Sequence, residues 1–124
     1  YKKNDSNTLY SVFVYRNVKL DLCHGSLTNL CSNPGCSGSD NVEINITNVK
    51  WTSSLQNDKN NPPGPSAAKS LSVGLSDENK FAKNLVSNTT SYLRYWLDVP
   101  PNTPPLNFTT IYQVRAVVAG ESCE

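Results

Sequence analysis

The fold is decided by residues 92–119, whose sequence is YLRYWLDVPPNTPPLNFTTIYQVRAVVA. Both ends of this stretch alternate apolar and polar side chains, the pattern of a strand with one covered face. The apolar face of the first strand holds Leu93, Tyr95, Leu97 and Val99, and that of the second holds Phe108, Tyr112, Val114, Ala116 and Val118. The prolines between them predict a turn, so the stretch predicts two paired strands.

The rest of the chain supports an all-β fold. Further strands are predicted at 18–22, 42–46, 49–51 and 71–75, separated by polar loops at 24–41 and 52–70. Residues 77–87 have weak helical spacing, and no α/β alternation occurs. About seven strands with turn signals predict an antiparallel immunoglobulin-like β-sandwich. We expect one domain over 9–124, after a polar tail at 1–8.

The segment Leu9–Tyr15, LYSVFVY, is apolar on both faces. Phe13 and Tyr15 share one face of an extended strand, and Val12 and Val14 share the other. Such a strand needs cover on both sides, from its own domain or from a neighbouring subunit. The residues leave both alternatives open.

Composition favours a secreted protein. The 124 residues carry a net charge of +1, which predicts no nucleic-acid or anionic membrane partner. Polarity comes from 16 Asn, 15 Ser and 9 Thr more than from charged residues. No apolar run reaches the roughly 18 residues of a membrane-spanning helix. We expect an extracellular, cell-surface location.

Four cysteines predict two disulfides in an oxidising compartment; they are Cys23, Cys31, Cys36 and Cys123. We favour pairing of Cys23 with Cys36 or Cys31, with the remaining cysteine bound to Cys123. Zinc is the alternative, with His24 as fourth ligand, but the spacing lacks a C-x-x-C pair. We therefore expect no metal site.

The sequence contains no catalytic signature. The single histidine, His24, has no recognisable partner motif, and G-x-S-x-G, P-loop and H-E-x-x-H motifs are absent. We therefore expect a protein that is not an enzyme and uses no cofactor.

Two kinds of sugar site are candidates. Sequons for N-glycosylation occur at Asn4, Asn45, Asn88 and Asn107, and we expect a glycan at one or more of them. Trp96 shares the outward face of its strand with Arg94 and Asp98, which makes it a possible sugar contact. Packing is the commoner use of a tryptophan.

The segment 95–112, YWLDVPPNTPPLNFTTIY, resembles the closing strand pair of secreted prokaryotic surface β-sandwiches. In these domains an aromatic-rich strand ends in Val-Pro, a short Thr/Pro turn follows, and an aromatic-Thr-Thr strand returns. Similar sandwiches occur in archaeal surface filaments, including bundling pili and threads related to the biofilm-matrix protein TasA.

This resemblance implies a structural function. Such filaments assemble head to tail, because the N-terminal strand of each subunit completes the sheet of the next. The donor strand would be 9–15, with subunit contacts through Leu9, Val12, Phe13, Val14 and Tyr15. The partners would be copies of the same chain, with glycans as a further possibility. The alternative is a monomeric secreted adhesion or carbohydrate-recognition domain that binds sugar through Trp96.

Overall fold

The structure, a computed structural model, describes residues 18–55 and 65–124. The predicted tail at 1–8, the sequon at Asn4 and the two-faced segment Leu9–Tyr15 lie outside the described residues. Within the described ranges, no helix is long and apolar enough to cross a membrane.

The chain is mostly β, with short 3-10 turns between the strands. The strands are β1 (Leu20–Ser26), β2 (Leu30–Cys31), β3 (Glu43–Ile44), β4 (Val49–Leu55), β5 (Lys69–Ser70), β6 (Lys80–Leu85), β7 (Ser91–Leu97) and β8 (Tyr112–Val118). The 3-10 turns are Pro34–Cys36, Ile46–Asn48, Pro65–Ala67 and Asp77–Asn79. All pairings between these strands are antiparallel.

The strands form three sheets, with the orders β6-β1-β8, β2-β3 and β5-β4-β7. The pairing of β1 with β8 is continuous from Leu20↔Val118 to Ser26↔Tyr112. The pairing of β4 with β7 is also continuous and ends at Leu55↔Ser91. Among the described strands, β7 and β8 are therefore both edge strands, each with one paired side.

The core lies between the two three-stranded sheets. Its buried members are Ile46, Trp51, Leu71, Phe81 and Ala82, and the partly buried residues packed on them are Leu22, Leu30, Val49, Leu85 and Leu93. Because Trp51 belongs to β4 and Phe81 to β6, this cluster joins the two sheets. Each large side chain that is fully buried contributes about 1.5–3 kcal/mol to folding.

Two disulfides are present, as the cysteine count predicts, but the favoured pairing was wrong. Cys23 is bonded to Cys123, and Cys31 to Cys36. Strand β1 continues past Cys23 to Ser26, so the extended chain carries Cys31 away from Cys23. The 3-10 turn at Pro34–Cys36 instead returns Cys36 towards Cys31.

The helical spacing predicted over 77–87 was also wrong. Only a single 3-10 turn forms there, and the chain then enters β6. Strand β6 pairs with β1, and the register of this pairing shifts on both sides of the Leu22↔Ala82 pair. These irregularities break the simple two-residue alternation that would have identified a strand.

Two other predicted strands are shorter than expected. In 42–46 the strand is limited to Glu43–Ile44, because Asn45 caps the next 3-10 turn by accepting from the Thr47 amide at 3.0 Å. In 71–75 only a single bridge forms, between Val73 and Ser26.

A buried ion pair joins β1, β6 and the C-terminal turn. The Asp21 carboxylate accepts from Lys80 Nζ at 2.8 Å, from the Asn84 amide at 2.9 Å and from the Gly120 amide at 3.0 Å. These donors, the Lys80 side chain foremost, lower the pKa of Asp21 to about 2. Lys80 Nζ also donates to the Glu121 carbonyl at 2.9 Å, so the ammonium group has two oxygen partners.

Candidate assembly groove

His24 lies at the centre of the molecule, on β1. Its side chain is fully buried, and Nδ1 is 2.9 Å from the Tyr95 hydroxyl and 2.7 Å from the Tyr112 hydroxyl. Tyr95 belongs to β7 and Tyr112 to β8, and their hydroxyls also bond to each other. One histidine thus links the edge strands of both three-stranded sheets.

The opposite side of the imidazole is aromatic. Trp51 lies at 88° to the His24 ring with 4.6 Å between centroids, and Phe81 lies at a centroid distance of 5.0 Å. His24 Nε2 is buried without a hydrogen-bond partner. The tautomer that fits these surroundings accepts a tyrosine O–H at Nδ1 and keeps its hydrogen on Nε2, which aromatic faces tolerate.

Burial keeps this cluster uncharged at neutral pH. It lowers the pKa of His24 to about 4, because the imidazolium would lose its hydration among aromatic rings. Burial also raises the pKa of both tyrosines above the ordinary value. The cluster is therefore a neutral hydrogen-bonded unit at pH 7.

The inner face of β8 is largely exposed. Side chains alternate along a strand, so Val114, Ala116 and Val118 share the face on which Tyr112 meets His24. This face points towards the other sheet, yet Val114 is 55% exposed and Val118 is 46% exposed. An inner strand face of a closed core would instead be buried.

The inner face of β7 shows the same feature at its C-terminal end. Leu93 packs on the core, whereas Tyr95 is 40% exposed and Leu97 is 46% exposed. We call these two exposed faces together the edge groove. It is defined by Tyr95, Leu97, Tyr112, Val114 and Val118.

An apolar cleft continues the edge groove beyond Leu97. It has a volume of about 740 Å³. Its lining includes Leu97, Val99, Pro104, Pro105, Leu106 and Phe108. The groove and the cleft together expose apolar side chains along two strands and the proline loop, which is typical of an interaction surface.

The sequence-predicted sugar sites lie away from the groove floor. Asn45, Asn88 and Asn107 are all exposed, and Asn107 lies at the apolar cleft. The Asn45 side-chain oxygen accepts from the Thr47 hydroxyl at 2.8 Å, so the two polar residues of that sequon are ordered together.

Trp96 is half-buried on β7, on the face opposite Tyr95. The Arg94 guanidinium lies 5.9 Å from the centre of its ring. Lys50 of β4 pairs with Trp96 across the sheet, and its Nζ forms an exposed ion pair at 2.6 Å with Asp98, which directly follows β7. Arg94 and Trp96 therefore lie close to an exposed ion pair.

The histidine–tyrosine cluster is not predictable from local sequence, because Tyr95 and Tyr112 lie 71 and 88 residues from His24. One signal was available. His24 continues the inward parity of Leu20 and Leu22, so a longer β1 would have placed it in the core. Because a polar loop was predicted from residue 24 onwards, the predicted strand was not extended to His24.

Comparison with protein-family models, with curated proteins and with solved structures finds no match to this chain.

Proposed function

We propose that this protein is the structural subunit of an extracellular filament or pilus that assembles head to tail. In this proposal the chain is an immunoglobulin-like sandwich that lacks one strand. The segment Leu9–Tyr15 of one copy occupies the edge groove of the next. The observation that carries the proposal is the apolar inner face of β7 and β8, which is exposed although it points into the molecule.

The groove suits a β-strand in chemistry and length. Strand β8 has seven residues and, within residues 18–55 and 65–124, a strand partner on one side only, and 9–15 also has seven residues. Backbone hydrogen bonds to the free edge would supply affinity, and alternate side chains would fill the groove. A strand lying beside an edge and between two sheets needs apolar side chains on both faces, as this segment has.

Strand direction favours a second copy as the source. Leu20 at the start of β1 pairs with Val118 at the end of β8, so any segment that precedes β1 in the same chain must connect to it at that end. Such a segment would therefore run parallel to β8 if it paired with the side of β8 that faces away from β1. A segment of another copy can pair antiparallel, which is slightly more stable per residue.

The two disulfides agree with an oxidising, extracellular setting. The exposed sequons at Asn45 and Asn88 are positions where glycans would face solvent. A glycan at Asn107 would stand at the mouth of the apolar cleft, so we expect occupancy there to interfere with assembly.

Crosslinking between two different variants tests the proposal. One full-length chain carries Val12→Cys or Phe13→Cys, which sample the two faces of the segment, and the other carries Val114→Cys. The two are refolded together, oxidised and analysed on a non-reducing gel. We expect a mixed disulfide dimer with one of the two donor positions, and that position identifies the side that fills the groove.

The matched control replaces Val114→Cys by Lys83→Cys, an exposed site on β6, and should give no mixed dimer. If the mixtures stay uncrosslinked while a single chain carrying both cysteines crosslinks internally, the segment covers its own domain and the proposal is wrong. Negative-stain microscopy of the unmodified protein should show uniform fibres. A monomer whose glycan binding is abolished by Trp96→Ala would support the recognition-domain alternative.

A further inference from the structure

The floor of the edge groove is titratable. Tyr95 and Tyr112 reach across the groove from its two walls, and their hydroxyls meet at His24 Nδ1. These bonds join a β7 side chain to a β8 side chain both directly and through the imidazole. The spacing of the two walls at this point is therefore set by the three-membered cluster, and His24 Nδ1 determines which hydroxyl donates within it.

We infer that His24, Tyr95 and Tyr112 form a pH-sensitive latch that holds the edge groove in the shape that accepts a strand, and that protonation of His24 opens it. This inference rests on the proposed function, because it concerns the occupancy of the same groove. It adds a pH condition for assembly, because strand docking is favoured while His24 is neutral.

Protonation of His24 would reverse the direction of the hydrogen bonds in the cluster. Neutral His24 accepts a tyrosine hydroxyl at Nδ1. Imidazolium has no acceptor, so both ring nitrogens donate and the chain of hydroxyl hydrogen bonds must reverse. Nε2 would then hold a share of the positive charge in a buried position without a hydrogen-bond partner, which is costly.

The groups that surround His24 determine whether an imidazolium there would have a counter-charge. Trp51 faces His24 from β4, Phe81 from β6, and the two tyrosines face it from β7 and β8. The nearest acid on β1, Asp21, has the opposite strand parity and is bonded to Lys80. The 3-10 turn Asp77–Asn79 also packs against β1; its Asp77 carboxylate accepts from the Cys123 amide at 2.9 Å, and Glu78 is exposed. Among the described residues, the side chains in ring contact with the imidazole are therefore uncharged.

Docking of a strand in the edge groove and protonation of His24 are thermodynamically linked. Tyr95 and Tyr112 are 40% and 41% exposed in the open groove, so a docked strand would remove their remaining water. Protonation of His24 then becomes harder, and its pKa falls further below the value of about 4. By reciprocity, acid must weaken strand docking as the pH falls through that value.

A labelled peptide of residues 8–16, acetylated and amidated, tests the latch. Its sequence, TLYSVFVYR, has no side chain that titrates between about pH 3 and 9. The receptor is the full chain with Val12→Ser and Val14→Ser, which weaken its own segment without adding charge. We expect the Kd to rise about two- to fourfold between pH 7 and pH 3.5, since a group whose pKa is about 4 in the free receptor can change the Kd by at most about fourfold over this range.

Two further measurements separate the latch from general acid effects. His24→Gln keeps a side-chain acceptor and should abolish the pH dependence, and Tyr95→Phe should reduce it. An NMR titration of His24 covers the case in which His24→Gln fails to fold, and peptide should lower the measured pKa. Absence of binding at every pH removes both the proposed function and the latch. Binding with an unchanged Kd and an unchanged His24 pKa overturns the latch alone.

Discussion

Asp21 shows how a single buried charge is made tolerable. The carboxylate has three donors, and two of these are backbone amides from separate segments. Its native pKa of about 2 lies below the ordinary value of 3.8. The native state therefore binds fewer protons than the unfolded state between these values, and this part of the stability is lost as the pH falls towards 2.

Asp21→Asn should lower the free energy of unfolding by about 3–5 kcal/mol, because it leaves the Lys80 ammonium buried without a counter-charge. Urea denaturation at pH 7 measures this loss. The matched control is Asp98→Asn, which breaks the exposed pair with Lys50 and should cost less than about 1 kcal/mol. Equal losses in the two variants would contradict the assigned role of burial.

The end of β1 depends on a close backbone approach at Gly25. A Cβ atom at this position would lie 1.9 Å from the Gly74 carbonyl oxygen. The approach allows Ser26 and Gly74 to pair, with the Gly74 amide 2.7 Å from the Ser26 carbonyl. The segment between β5 and β6 is thereby attached to the central strand.

Gly25→Ala should therefore separate the end of β1 from residues 72–74 and cost about 1–3 kcal/mol of unfolding free energy. Hydrogen exchange gives a local measurement. We expect the Gly74 amide to exchange faster, whereas the remote Asp98 amide, which bonds to the Asn48 carbonyl, should keep its rate. A uniform increase at both amides would indicate general loosening instead.

Elements differ in how well their local pattern predicts them. Strands β7 and β8 have long two-residue alternation, so the sequence locates both, although β8 begins later than expected at Tyr112. Strand β6 was missed because register shifts against β1 disrupt the alternation. The end of β1 was missed because Gly25 and Ser26 resemble a loop, and only the partner segment at 72–74 explains them.

At the scale of the whole molecule, the two disulfides should contribute unequally. Cys23–Cys123 closes a separation of 100 residues, whereas Cys31–Cys36 closes one of 5. In the chain-entropy model, replacing both members of the first pair by Ser should cost about 4–5 kcal/mol and of the second about 2 kcal/mol. Denaturant midpoints of the two double variants provide the comparison, and the reverse order would contradict it.

The proposed function accounts for the two-faced segment at 9–15 at the scale of the whole molecule. Its apolar faces alone require cover from some source. In this proposal the edge groove is the matching surface, since it exposes apolar side chains on two strands that each have one strand partner among the described residues. If the segment of each copy docks in the edge groove of another copy, the subunits form an open head-to-tail series.

The sequence by itself determined the β class, the two disulfides and the strands with regular alternation, because these depend on composition and on neighbours a few residues apart. Only the tertiary structure decided which cysteines pair, which side chains meet at His24, and which inner faces stay uncovered. The His24 cluster and the Cys23–Cys123 bond depend on contacts between residues about 70–100 positions apart, and the closure of the sheets rather than a local period sets such contacts.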